Sequence, residues 1–262
     1  MTRRFRFVAA LGLATALPLA ACSGSRPAAP GPATTAAAGT TPQAAPATRA
    51  PGFAVTGDNP VPRNGSQDTR AAAAGAGCDP AALASDQQLG RRIAGWFTLA
   101  GLPVSASLLR HFLAGTGTGV SFPAGSDISR LASESAAFAT VNGQVQAAVT
   151  RQLAAGRTQV RLPAAQMPLV PFNAAGGDLY WGFRGTQGLS VTGSGHRSGG
   201  TFTGTLSYVI RDSYGFPAGD TLGGFGAPMR YLQTTCGAPQ QAGGARWFPD
   251  TITVTVPFSQ PG

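Results

Sequence analysis

Asp212 and Tyr214 are the residues of this sequence whose types and spacing best suit chemistry. They lie in the segment 212–216, which reads DSYGF, at the end of a predicted strand. Polar and aromatic side chains at such a position often line clefts, where a carboxyl group can act as a general acid or base. In the structural interpretation, Asp212 caps a turn and Tyr214 packs over the core. The sequence leaves both interpretations open.

Tyr180, Trp181 and Arg184 form a second candidate site, for binding rather than catalysis. Aromatic faces beside a planar cation suit a sugar or a peptide. However, the segment Asp178–Phe183 is predicted to be a strand, in which alternate side chains point to opposite faces. One of the two faces then belongs to the core.

Metal and cofactor chemistry is not predicted. The chain has two histidines, His111 and His196, and a single glutamate, Glu134. Catalytic zinc normally takes three protein ligands. The sequence also lacks the Gly-x-Ser-x-Gly motif that would identify a nucleophilic serine. We therefore expect no cofactor and no metal site.

The charge distribution argues against nucleic-acid binding. All 19 basic residues other than histidine are arginine, and the formal net charge is +9. From Cys78 onward, 12 arginines stand against 8 acidic residues, a net charge of +4, and they are scattered singly. A nucleic-acid-binding domain would cluster its basic residues and interleave aromatic ones.

Cys78 and Cys236 are an even pair of cysteines within residues 78–262. In an oxidising compartment such a pair favours a disulfide, worth at most about 5 kcal/mol for so long a loop. The alternative is two free thiols, one of them reactive.

The first half of residues 78–262 has apolar residues at helical spacing. Asp79 and Pro80 suit an N-cap and the first helical position. A second helix is predicted to start at Ser105 or Ser107. A third helical region begins at Ser126–Asp127, and Asn142–Gly143 is expected to split it.

The second half alternates apolar and polar residues, which is typical of antiparallel sheet. A hairpin loop is predicted over 194–200 and a short helix over Met229–Thr235. The predicted strands are Gln159–Leu162, Asp178–Phe183, a strand through Leu189 and Val191, Thr201–Arg211 and Thr251–Val256. The expected fold class is α+β: a helical half, then a mainly antiparallel sheet with a short helix before the last strand.

The N-terminus resembles that of bacterial lipoproteins. Arg3, Arg4 and Arg6 precede a short apolar stretch that ends in the segment 19–22, LAAC, which resembles a lipobox. The resemblance implies that residues 1–21 are a signal peptide and that Cys22 carries a diacylglycerol. Residues 22–77 are then the lipidated cysteine and a disordered linker rich in Ala, Pro, Thr and Gly. This predicts a single domain over 78–262, outside the cytoplasm and anchored by lipid to the cell membrane.

The segments 108–117 and 211–216 are similar to parts of secreted actinobacterial proteins of unknown function. This resemblance supports a location in the cell envelope and implies no activity. Our first hypothesis is a non-catalytic domain that binds or scaffolds wall polymer, lipid or an envelope protein. The alternative is a hydrolase or transferase that acts on envelope material with a site near Asp212 and Tyr214.

Overall fold

The computed structural model describes residues 52–60, 77–216, 223–237 and 242–261. All of them belong to one compact unit that spans residues 48–262. The helices are α1 (Pro80–Leu99), α2 (Pro103–Leu113), α3 (Asp127–Glu134), α4 (Ala136–Ala154), α5 (Gly177–Phe183) and α6 (Gly226–Thr234). The strands are β1 (Gly52–Pro60), β2 (Val120–Phe122), β3 (Gln159–Leu162), β4 (Gly188–Ser198), β5 (Thr201–Tyr214) and β6 (Phe248–Pro261).

The six strands form one mixed sheet in the order β2-β6-β5-β4-β1-β3. The centre of the sheet is antiparallel, because β5 pairs with β4 on one side and with β6 on the other. Two parallel pairs, β1 with β3 and β2 with β6, complete its sides. With the helices that precede and interrupt it, the sheet confirms the predicted α+β class.

One face of the sheet is buried and the other faces solvent. Along β5, Leu206, Tyr208 and Ile210 are buried, whereas the residues between them are partly exposed, as the period of two requires. The buried face packs under the helices: α3 contacts β6, and α5 contacts β5. The outer face of the two longest strands carries mainly serine and threonine, so the sheet presents a core side and a polar side.

Side-chain caps begin three of the helices. The Asp79 carboxylate accepts the backbone N–H groups of Ala81 and Ala82, and Pro80 takes the first helical position of α1, as predicted. Ser126 Oγ caps α3 in the same way. The third cap was not predicted: Ser135 Oγ accepts the N–H of Phe138 and starts α4.

The predicted break at Asn142–Gly143 is therefore wrong. α4 continues through this pair, and the break lies at Ser135 instead. Asn142 stays in the helix because its Oδ1 accepts the hydroxyl of the buried Tyr208 at 2.8 Å, which ties α4 to β5. The chain likewise enters α2 at Pro103, before the predicted Ser105 or Ser107, because proline suits the first turn.

The predicted linker over 22–77 contains a strand. β1 lies between β4 and β3, so its backbone groups pair on both sides. Phe53 and Val55 point into the core, and the residues that alternate with them do not. The alternation of Phe53 and Val55 with less apolar residues was overlooked because the surrounding segment has low hydrophobicity. The folded unit thus includes β1 and does not begin at Cys78, while Cys22 and residues 1–51 and 61–76 lie outside the described residues.

Two further predictions in the second half are wrong. Asp178–Phe183 is the helix α5 rather than a strand, because its predominantly apolar sequence is ambiguous between a buried strand and a short helix. The hairpin loop predicted over 194–200 is a two-residue turn at Gly199–Gly200. β4 continues to Ser198, and both turn glycines have the positive φ that a tight hairpin needs.

Cys78 and Cys236 form the predicted disulfide, which excludes the alternative of two free thiols. Their Cα atoms are 5.0 Å apart, and 158 residues separate them in the sequence. The bond joins the start of α1 to the end of α6. The same two helices are also linked by a hydrogen bond of 2.8 Å from the Asp79 N–H to the Tyr231 hydroxyl.

Phe53→Ala in the fragment 48–262 tests whether β1 belongs to the fold. Because Phe53 is buried against Phe202 and Phe258, we expect the free energy of unfolding in urea to fall by about 3–5 kcal/mol. The control Thr56→Ala changes an exposed β1 residue and should stay within about 0.5 kcal/mol. If residues 52–60 were a linker, both variants would unfold at the same urea concentration as the parent.

Candidate functional site

Asp212 on β5 and Asp250 on β6 lie directly opposite each other in the sheet. Both belong to the buried alternation of their strands, so both carboxyl groups face the helices and not the solvent. Directly opposite residues of an antiparallel pair have Cβ atoms about 4.5–5.5 Å apart. The register therefore brings two carboxyl groups together inside the core.

Apolar rows enclose this carboxyl pair on both sides. In one direction along the strands, Ile210 faces Ile252. In the other direction, Tyr214 faces Phe248, and their rings are stacked with centroids 5.5 Å apart. Asp212 is 7% exposed and Asp250 is 0% exposed. The two carboxyl groups are thus removed from water.

Burial raises the pKa of Asp212 to about 7. Three smaller effects oppose the rise: hydrogen bonds from the backbone N–H groups of Ser213 and Gly185, and the positive charge of Arg184. The pKa of Asp250 is also raised, first by burial and then by the like charge of Asp212. Desolvation and repulsion both disfavour the ionised forms, so the pair holds a proton at neutral pH.

Asp250 is the less satisfied of the two aspartates. Within the described residues, neither of its carboxyl oxygens has a hydrogen-bond partner. Its own backbone N–H lowers its pKa slightly without meeting the geometry of a hydrogen bond. Asp212, by contrast, accepts the Ser213 N–H at 2.8 Å. An unpaired buried carboxyl group costs stability, and such groups are concentrated at functional sites.

The two candidates from the sequence have different surroundings: Asp212 belongs to the carboxyl pair, whereas Tyr214 belongs to the aromatic core. Asp212 lies inside β5 and not at a turn, next to a second carboxyl group that the sequence did not point to. Tyr214 is buried among Phe112, Phe216 and Phe248, in agreement with the structural interpretation of this residue. The signal for Asp250 was its place at the start of an alternating strand, but its partner is 38 residues away and depends on the register.

The second candidate site lies on α5. Tyr180 and Trp181 are both half-exposed, and the Arg184 guanidinium lies 5.8 Å from the centre of the Tyr180 ring. The helix brings these three side chains to one side, which the predicted strand would not have done. The Asp178 carboxylate holds α5 against α2, because it accepts the backbone N–H of Ser105 at 2.7 Å and its hydroxyl at 2.6 Å.

The surface of α5 continues onto the end of α1. The link is the buried Phe97, whose ring centroid lies 5.4 Å from that of Trp181 and 5.4 Å from that of Trp96. Trp96 is 54% exposed and Leu99 is 90% exposed. We use the term aromatic surface for the exposed residues Trp96 and Leu99 together with the partly exposed residues Tyr180, Trp181 and Arg184.

Sequence reasoning missed Trp96 and Leu99 as surface residues, because large apolar residues in a helix are generally expected to face the core. The buried residues of α1 are Gly90, Ala94 and Phe97. At 100° per residue, Trp96 and Leu99 lie on the opposite face, which they share with Arg92. Their position on the same helical face as Arg92 could have indicated from the sequence that Trp96 and Leu99 are exposed.

The turn at Arg184–Gly185 joins the two candidate sites. Gly185 donates its N–H to Asp212, while Arg184 lies over Tyr180 and lowers the pKa of Asp212 by its charge. Asp212 therefore lies next to the end of α5, the helix that carries two of the five residues of the aromatic surface.

The two histidines belong to neither site. His111 Nε2 hydrogen-bonds the Thr118 carbonyl at 2.8 Å, and its ring contacts Phe248. His196 is exposed on β4. Among the residues that the structure describes, no group of three or more His, Cys, Asp or Glu side chains could hold a metal ion.

Removing one carboxyl group should change how stability depends on pH. The folded protein keeps a proton on the pair that the unfolded chain, with an aspartate pKa near 3.8, releases. Stability therefore decreases as the pH rises from about 4 to about 7. Asp250→Asn removes the repulsion and lets an amide donate to Asp212.

We expect Asp250→Asn to make the decline between pH 4 and pH 7 shallower, because one fewer buried carboxyl group takes up a proton on folding. The Tm at pH 8 should rise by roughly 2–4 °C for each kcal/mol of stability gained. Asp127→Asn is the control, since the Asp127 side chain is 92% exposed. Calorimetry of the fragment 48–262 across this range makes the measurement. An unchanged pH profile in Asp250→Asn would show that the pair does not hold a proton.

Comparison of the chain with protein-family models, curated proteins and solved structures gave no match. Within the described residues, no helix has both the length and the apolar character needed to cross a bilayer.

Proposed function

We propose that this protein is an extracytoplasmic lipoprotein whose domain binds a component of the cell envelope without catalysis, through the aromatic surface. The observation that carries the proposal is the exposure of Trp96 and Leu99 next to Tyr180 and Trp181. Exposed large apolar residues are scattered singly on most soluble domains, whereas a contiguous group marks an interaction site.

The composition of the aromatic surface supports this function. Tryptophan, tyrosine and arginine dominate the residues that contribute most to binding at interfaces. All three occur here, within a continuous chain of ring contacts from Trp96 to Tyr180. The rings are held from below by buried side chains, so little conformational entropy is lost when a partner binds.

The location of the protein rests on the sequence. Cys22, the acceptor of the proposed lipid, lies outside the described residues, and the lipobox-like segment 19–22 supports its modification. The disulfide between Cys78 and Cys236 is consistent with an oxidising compartment. A domain held at the membrane in this way would find envelope components at high local concentration.

Binding of fractionated cell envelope tests the proposal. The fragment 48–262 is incubated separately with purified wall polymer and with membranes, and the bound protein is measured by sedimentation. We expect saturable binding to one fraction, and a loss of about tenfold or more in Trp96→Ala and Tyr180→Ala, as for interface hot spots.

Leu131→Ala is the matched control, because Leu131 is another exposed large apolar residue, 38% exposed, on α3. It should bind as the parent does. Equal binding by all variants, or no binding to either fraction, would contradict the proposal.

The alternative function is an envelope hydrolase or transferase, and the carboxyl pair is the observation in its favour. Two carboxyl groups with separated protonation states can act as acid and base. In the described structure both are enclosed, so a substrate would need the covering elements to open.

Incubation of the fragment 48–262 with wall polymer or lipid-linked precursors tests this alternative. If it holds, soluble products appear, and both Asp212→Asn and Asp250→Asn abolish them while Asp127→Asn does not. Saturable binding without products excludes it.

A further inference from the structure

We propose that the connection between α1 and α2 docks on an anionic lipid bilayer, with Trp96 and Leu99 entering the interfacial region and the neighbouring arginines contacting headgroups. We call residues 96–104 the tip. This inference rests on the proposed function, because it names the partner of the aromatic surface.

Thr98 carries the one polar side chain of the tip. Residues 99–104 read LAGLPV and contain no polar side chain. The described parts of the chain expose three large apolar side chains, and two of them, Trp96 and Leu99, belong to the tip. Tryptophan prefers the level of the lipid headgroups, and a leucine beside it adds apolar area that a bilayer can cover.

The backbone N–H groups of the tip are hydrogen-bonded within the protein and therefore do not depend on water. Gly101, at φ +74°, closes α1: its N–H donates to the Thr98 carbonyl, and the Leu102 N–H donates to the Phe97 carbonyl. The Ala100 N–H donates to the Trp96 carbonyl, and Pro103 has no N–H to satisfy. Unpaired backbone groups are costly in lipid, so this internal pairing lowers the cost of insertion.

The next N–H groups are satisfied as well. The Asp178 carboxylate accepts those of Val104 and Ser105, and the Leu102 carbonyl accepts that of Ala106. Every backbone N–H from Ala100 to Ala106 therefore has a partner. The tip can lose its contact with water and leave none of these donors unpaired.

Positive charge surrounds the tip. Arg92 shares the exposed face of α1 with Trp96 and Leu99, and Arg184 lies on the adjoining α5. Arg110 reaches the tip from α2, where its Nη2 donates to Thr98 Oγ1 at 2.8 Å. No acidic residue occurs between Asp86 and Asp127 in the sequence. The Asp178 carboxylate, which binds the N–H groups of Val104 and Ser105, is buried and faces away from the solvent. The positive charge around the tip is complementary to anionic headgroups.

The polar groups at the tip fit lipid better than sugar. The Thr98 hydroxyl is already engaged, since it accepts from Arg110 and donates to the Ala94 carbonyl at 3.0 Å. A sugar site needs side chains that hydrogen-bond hydroxyl groups beside the rings on which sugars stack. The exposed aliphatic side chain of Leu99 offers neither.

Vesicle binding by the fragment 48–262, which lacks Cys22 and any lipid of its own, tests the inference. One set of vesicles contains phosphatidylglycerol and phosphatidylcholine, and the other contains phosphatidylcholine alone. We expect flotation with the anionic vesicles, weakened by salt, and a blue shift of tryptophan emission that Trp96→Phe reduces.

Leu99→Asp should weaken this binding by about tenfold or more, the effect of losing one buried leucine side chain. The fold should survive because Leu99 is exposed, which a Tm equal to that of the parent verifies. Leu131→Asp is the control and should bind normally. Equal binding by Leu99→Asp, or equal binding to the neutral vesicles, would overturn the inference.

The outcomes also separate this inference from the proposed function. If the parent binds no vesicles but binds wall polymer, or protein-containing membranes, in a manner that Trp96→Ala abolishes, the lipid partner is wrong and the proposed function stands. If it binds neither vesicles nor envelope fractions, both are wrong.

Discussion

The alternation of side chains along β5 and β6 is the constraint on which the rest of the structure depends. All 14 residues of β5 pair with β6 in register. Because the period is two, this register places one set of side chains against the helices and the other set in solvent. The same pairing that builds the core therefore also buries Asp212 and Asp250 opposite each other. A shift of β6 by one residue against β5 would turn Asp250 to the solvent, but it would also bury the threonine hydroxyls on the outer face of β6.

The two candidate sites are local departures from an otherwise consistent fold. The carboxyl pair keeps charge-bearing groups in an apolar core, and the aromatic surface keeps apolar groups in water. Both are costs that the rest of the structure offsets, through the continuous core under the helices and through the disulfide. The turn at Arg184–Gly185 contacts both sites. Asp212 is thus in contact with the turn that directly follows α5, the helix that holds Tyr180 and Trp181.

Much of the secondary structure could be predicted because it depends on neighbouring residues. Asp79 and Ser126 mark helix starts by local capping, and β3 occupies the four residues whose alternation predicted it. The prediction failed where distant contacts decide. β1 is stabilised as a strand by its pairing with β3 and β4. The helix α5 is held against α2 by the hydrogen bond of Asp178 to Ser105. The unbroken helix α4 is held against β5 by the hydrogen bond between Tyr208 and Asn142. None of these partners lies near in sequence.

The candidate sites divide in the same way. By itself the sequence determined the α+β class through its local periodicity, and it favoured the pairing of Cys78 with Cys236 through its cysteine count. Residue types and spacing pointed to Asp212, Tyr180, Trp181 and Arg184. Only the tertiary structure decided that Asp212 shares its surroundings with Asp250, and that Trp96 and Leu99 face solvent. The physical reason is that residue type and local period are properties of the chain, whereas desolvation and exposure depend on which distant elements cover a given side chain.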